Sequence, residues 1–179
     1  MKILLRDVRL AFPALWRRAV FGGEEGKFGA TFLLNKTTQA DQIKVVSEGI
    51  TTMCKADLKG VKLPPDKLCL RDGDASEYDG FGGHMSLKAS NNGRPLVIHR
   101  DKSVITEDDG IIYAGCYVNA QINLWSQDNQ WGKRVNANLL GVQFVRDGEP
   151  FGDGGRIARP DEFDTLMDEG GGDGNDLFS

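Results

Sequence analysis

A chain of 179 residues, 40% hydrophobic and 27% charged, can bury roughly 70% of its unfolded surface in one core without covalent staples. Its three cysteines, Cys54, Cys69 and Cys116, are odd in number and show no paired spacing; together with the charged start MKILLRDVRL and no apolar run of about 18 residues, they argue against a disulfide framework, a signal peptide and a membrane span, and fit a cytoplasmic protein. The net charge of −4 averages two unlike parts, because Asp161 to Ser179 hold seven acids and no base, leaving 19 acids against all 22 bases in residues 1–160.

Residues 3–12 alternate as a strand. Val8, Leu10 and Phe12 share one phase and Ile3 and Leu5 the other, so a bulge is expected near Arg6 and Asp7. A long connection, PALWRRAVFGGEEG, leads to a second strand at 27–34 with Phe28, Ala30, Phe32 and Leu34 on one face. Thr38 is placed to cap a helix over 38–57, with Asp41 in its first turn and Ile43, Val46, Ile50, Met53 and Cys54 along one side. Pro64-Pro65 break regular structure, and the polar, glycine-rich stretch from Arg71 to Gly83 reads as a loop. Strands follow at 84–90, at Leu96–His99, from Ile111 to Trp125, and at 134–146, the last with a change of phase at Gly141 that signals a bulge. Beyond Pro150 the composition is that of a disordered end. The expected fold is mainly β, a small barrel with one helix. The expected division is a domain over 1–160 and an acidic C-terminal tail over 161–179.

The segment 112–125 carries most of the functional information. Its even positions (Ile112, Ala114, Cys116, Val118, Ala120, Ile122, Leu124) are all apolar. The odd ones (Tyr113, Gly115, Tyr117, Asn119, Gln121, Asn123, Trp125) are aromatic or amide apart from the glycine, with no charge. Because successive side chains of a strand point to opposite faces, the first set belongs in a core and the second outside it. The outward rings are either ordinary cross-strand neighbours or platforms on which nucleobases stack. Two connections bear on that choice: one contains Trp16, Arg17 and Arg18 followed by Lys27, the other Trp131, Lys133 and Arg134. Each joins an indole to cations, the arrangement with which two loops of an OB barrel clamp an oligonucleotide, although a loop tryptophan also serves as a lid over a barrel end. Lys88 lies on an outward face and, like Arg94, Arg100 and Lys102, can follow a phosphate backbone or be a plain solvated charge. The candidate stacking residues are therefore Trp16, Tyr113, Tyr117, Trp125 and Trp131. The candidate phosphate contacts are Arg17, Arg18, Lys27, Lys88, Lys133 and Arg134.

In the tail, Asp168, Glu169, Asp173 and Asp176 can mimic a nucleic acid in a basic groove, while Leu177 and Phe178 offer a partner an apolar hook; the plainer reading is a solubilising end. Asp72, Asp74, Glu77 and Asp79 form the one cluster that suggests a metal-dependent nuclease, but they lack the framing of a two-metal site. His84, His99 and the cysteines have no zinc spacing, and no P-loop, Rossmann or G-x-S-x-G motif occurs. The residues thus point away from an enzyme and call for no cofactor. A virion or scaffold protein using its exposed rings as assembly contacts is the other alternative.

The order LRDGD (Leu70 to Asp74), YDGFGGHMSLKASN, YAGCYVNAQINLW and GVQFVRDGEPFG resembles a family of tailed-phage single-stranded-DNA-binding proteins, over residues from about Arg6 to Phe163. The resemblance implies an OB-fold-like five-stranded barrel with additional short strands, which coats single strands without strong sequence preference during replication and recombination in the infected cell. The ending DLFS is similar to the acidic, Phe-containing tails that recruit polymerase, helicase or primase. A homodimer is a further possibility, and the helix follows the second strand, earlier than in the usual barrel order.

Overall fold

The structure, a computed structural model, describes residues 1–151 and 163–166. Apolar alternation generates β1 (Lys2–Ala14), β4 (Phe28–Asn35), β6 (His84–Asn91), β8 (Tyr117–Asn129) and β9 (Gly132–Arg146). Shorter pieces are β2 (Val20–Phe21), β3 (Glu24–Glu25), β5 (Leu70–Asp72) and β7 (Leu96–Ile98), and one helix, α1, spans Ala40–Asp57. The long strands pair in the order β6-β4-β1-β8-β9, and a parallel bridge from Ser90 to Asn138 joins β6 to β9 and closes the barrel. This is the expected five-stranded barrel. Following paired residues around it, Ala14 to Gly29, Ser90, Asn138, Asn123 and Lys2, returns to β1 near its other end, so the strands are steeply tilted.

Leu5, Val8, Leu10, Phe32, Leu87, Ile122, Leu139 and Phe144 are fully buried inside the barrel. Each contributes roughly 1.5–3 kcal/mol by leaving water. The expected bulges are present. One falls between Leu5 and Val8, where Asp7 adopts a positive φ of 53°. Its exposed backbone is held by Gln42, Gln39 and Asn119: Arg6 N–H donates to Gln42 Oε1 at 2.7 Å, Asp7 N–H to Asn119 Oδ1 at 3.0 Å, and Gln39 Nε2 to the Asp7 carbonyl at 2.7 Å. The other lies in β9, where Gln121 pairs with Gly141 and Ile122 with Leu139, so Leu140 is the extra residue.

Helix α1 closes the barrel end where β1 begins and β4 stops. Val46, Gly49 and Ile50 face inward, and a Cβ at Gly49 would lie 2.8 Å from Met1 Sδ and 3.1 Å from Leu124 Cδ1. Thr38 does not cap it. Gln39 precedes the first turn without a side-chain cap, and Asn35 Oδ1 accepts the N–H groups of Thr37 and Thr38 instead. The stretch read as a loop from Arg71 contains β5, antiparallel to β6. Just before it, Leu68 and Cys69 fill the gap between β6 and β9: Cys69 N–H reaches the Val135 carbonyl at 3.0 Å, and Lys88 N–H the Cys69 carbonyl at 3.0 Å.

Two expectations drawn from the alternation are not met. Strand β8 begins at Tyr117, not Ile111, because Gly115 turns the chain with φ +114°, and a Cβ there would overlap the Glu149 carbonyl. Phe12, expected inside with Leu10, is exposed, since a second irregularity in β1 between Ala11 and Ala14 gives it a φ of 49°. Most of the expected tail, including Asp168, Glu169, Asp173, Asp176, Leu177 and Phe178, lies outside the described residues. No helix among the described residues is long and apolar enough to cross a membrane.

Candidate nucleic-acid interface

Along β8 the alternation holds from Tyr117 to Trp125, with Val118, Ala120, Ile122 and Leu124 buried and the odd positions facing outward. On β9, Val135, Ala137 and Leu139 point in, so Arg134, Asn136 and Asn138 point out beside Trp125. On β6, Leu87 and Ala89 point in and leave Lys88 and Ser90 outside. These outward rows meet at the seam between β6 and β9. A groove of about 340 Å³ runs there, lined by Lys27, Arg71, Lys88 and Arg134 around Trp125, with Ser90, Gln127, Asn136 and Asn138 among its polar groups. It has four cations and no carboxylate on its walls.

Local bonds hold this surface in shape. Trp125 Nε1 donates to Asn138 Oδ1 at 3.1 Å, and Asn136 Nδ2 to Gln127 Oε1 at 3.2 Å. Arg71 is steadied by the carbonyls of Leu68 and Asp66, both at 3.1 Å. Burial pushes the Cys69 thiol up to about 11, so this lining residue is neutral near pH 7. Two arms flank the groove. The tip of the β8–β9 hairpin carries Trp131, 74% exposed. The β2–β3 hairpin carries Phe21, 68% exposed, whose ring lies 6.0 Å from Lys88 Nζ.

The structure therefore brings together Trp125, Lys27, Lys88 and Arg134, with Trp131 on the adjoining tip. It separates the others. Tyr113 is only 4% exposed: the turn at Gly115 breaks the alternation, so its ring joins the core instead of the outer face. Its hydroxyl donates to Asp147 Oδ1 at 2.8 Å and accepts from Gly148 N–H at 3.1 Å, and burial, followed by the Asp147 bond, raises its pKa. Tyr117 faces outward but sits eight residues from Trp125, about 26 Å along the strand. The Arg146 guanidinium covers its ring at 3.7 Å, anchored in turn by Asp7 at 3.1 Å. Asn119 is engaged by the bulge and Asn123 by the Met1 ammonium.

Trp16 packs against the core and donates to the Ile105 carbonyl at 3.4 Å, acting as a lid. Together with Arg17 it lines a second groove of about 860 Å³ that also holds Glu107 and Asp108. Arg17 pairs with Glu107 at 3.2 Å. Arg18 bonds the carbonyls of Gly26 and Asn92 and stacks at 4.9 Å on Phe28, which Arg94 approaches at 5.9 Å. Lys133 stands in register with Asp128 on the hairpin. In the acidic stretch, the Lys36 ammonium closes on both Asp72 and Asp74 at 2.6 Å, holding their carboxyls below the usual range. Among the described residues no three His, Cys, Asp or Glu side chains converge as a metal site.

Sequence reasoning missed Arg71 and Phe21. Arg71 was hidden in a segment read as loop. Phe21 shows only once the connection is seen to form a hairpin that buries neither of its apolar residues. The outward amides of β9 were within reach of the same parity argument that found Trp125.

Over residues 1–173 the sequence matches the model of the family described as Enterobacter phage Enc34, ssDNA-binding protein. The chain belongs to that family. A single-stranded-DNA-binding protein from bacteriophage Enc34, solved in complex with single-stranded DNA, is 32% identical with a TM-score of 0.75, covering 84% of this chain and 89% of that one. A second structure of the Enc34 protein is 34% identical at a TM-score of 0.75, covering 91% of this chain and 90% of that one. Protein p50 of Acyrthosiphon pisum secondary endosymbiont phage 1 is 44% identical over 176 residues, 93% of this chain and 94% of its own length. The barrel is the OB-like fold of the Enc34 structures.

Proposed function

We propose that this protein binds single-stranded DNA, as the Enc34 relative solved in complex with single-stranded DNA does, and that it does so with little sequence preference. The strand lies in the groove around Trp125. The observation that carries this reading is four cations around one outward indole with no acid among the lining residues. Trp125, and Trp131 on the neighbouring tip, take bases on their faces; Lys27, Arg71, Lys88 and Arg134 neutralise phosphates. Stacking accepts any base and phosphate contacts carry no sequence, so the protein coats whatever single strand replication or recombination exposes. Holding a strand this way needs neither cofactor nor bond-making chemistry, and the site of action is the infected cell. The acidic end competes with DNA for the basic groove and offers Leu177 and Phe178 to polymerase, helicase or primase.

The test is a fluorescence titration with oligo(dT), with duplex and with RNA at two salt concentrations. Four neutralised phosphates give log K against log salt a slope of about −3 for a single strand. Duplex DNA binds more weakly, because its bases cannot reach the indole. A salt-independent affinity, or duplex bound as tightly as oligo(dT), would sink the proposal.

A further inference from the structure

Apart from the groove, the described surface carries one other concentration of exposed rings. Phe12 is 56% exposed and Tyr78 is 62% exposed, and they meet edge to face with centroids 4.9 Å apart. Phe81 lies beneath both, at 6.1 Å and 5.4 Å, buried on Ala11 and Leu33 of the outer β1–β4 surface. Phe12 is turned out by a strand irregularity at a positive φ of 49°. A bulky residue adopts that conformation only under strain, and bulges that re-aim a side chain concentrate at binding sites. Backbone strain that lifts an apolar ring into water contributes nothing to the core.

The position of the pair in the sheet suggests its use. Trp125 pairs with Asn136 on β9, and across the seam Lys88 pairs with Thr31 on β4, which pairs with Ala11 next to Phe12. These outward positions form one belt crossing the strands. The distance from Lys88 to β1 is two strand spacings, about 10 Å. Resting on the single-strand reading, we propose that Phe12 and Tyr78 form a second base-stacking platform, which receives the DNA strand after it has crossed Lys88 and Thr31. The occupant is a nucleobase rather than a protein, because the belt joins the pair to the cationic groove and its aromatic arm at Phe21.

The test compares an oligo(dT) of about four nucleotides, enough for the groove, with one of about 16, the range of OB-fold site sizes. Phe12→Ala with Tyr78→Ala should weaken the longer oligonucleotide about tenfold or more and leave the shorter one unchanged, since each stacked base accounts for about 5- to 150-fold. The salt slope should stay the same, because no phosphate contact is lost. Tyr78→Phe, which keeps the ring, should retain full affinity, and unchanged binding of the shorter oligonucleotide by the double variant shows that its loss is not misfolding. Unchanged binding of the longer oligonucleotide by the double variant overturns the platform, as does equal weakening of both lengths. A change in self-association without a change in DNA affinity overturns it in favour of a protein contact. If the wild-type protein binds neither oligonucleotide, the single-strand reading itself fails, an outcome distinct from the others.

Discussion

Trp125 stands on the outer surface of β8, half-buried among amides, and its removal opens no cavity in the core. Trp125→Ala should therefore weaken oligo(dT) binding by roughly 1–3 kcal/mol while circular dichroism and the thermal midpoint stay close to wild type. Undiminished affinity in the folded variant would take Trp125 out of the site. At this scale the sequence was informative wherever alternation ran unbroken, which is why the outward placement of Trp125 and Lys88 could be read from it, whereas Arg134 came from the pairing of an indole with cations in the connection after β8. It misled at Tyr113 because one glycine, Gly115, lets the backbone turn through φ +114° and cancels the parity on its far side. Nothing in composition marks that glycine as a turn; the demand for it comes from the Glu149 carbonyl, which approaches from 34 residues further along the chain.

The β2–β3 hairpin is tied to its base by Ala19 N–H on the Lys27 carbonyl at 3.0 Å and Gly26 N–H on the Ala19 carbonyl at 2.6 Å, and its Val20 and Phe21 are exposed. Replacing residues 20–25 by a short turn should lower the affinity for single strands and leave the urea midpoint nearly unchanged, since little apolar surface leaves water there. A large drop in stability would mean that the arm belongs to the core. Lys36 fastens the exit of β4 to the end of β5 through Asp72 and Asp74. Both carboxyls titrate below the ordinary 3.8, chiefly through hydrogen bonding to Lys36. The clamp is thus fully formed above that value and is lost as pH falls through the depressed range. The Lys36 ammonium is itself held above 10.5, so the clamp also releases as pH rises past that end. Lys36→Met should make the acid decline of the urea midpoint shallower; an unaltered acid limb would show that the clamp adds no stability. The major strands and the helix were legible because each carries its own period. β5 was not, because three residues between Cys69 and a glycine turn hold no pattern and owe their strand state to β6.

For the molecule as a whole, the opposed charges of residues 1–160 and 161–179 predict that deleting the acidic end tightens DNA binding and reduces part of its salt dependence, measured by titration at two salt concentrations. Weaker binding by the shortened protein would refute the competition. The five-stranded closure was legible as a class but not in its joinery: a lone bridge at Ser90 and Asn138, with Leu68 and Cys69 filling the rest of the gap, is a long-range outcome that no local window contains. That join lies directly under the groove. The wall beneath the groove is consequently the one with the fewest rungs, and its amides, Cys69 and Lys88 among them, should exchange with deuterium before those of the β1–β8 wall. A floor able to yield by a fraction of an ångström fits large and small rings alike, which would make indifference to base identity a mechanical property of the barrel as much as a chemical one.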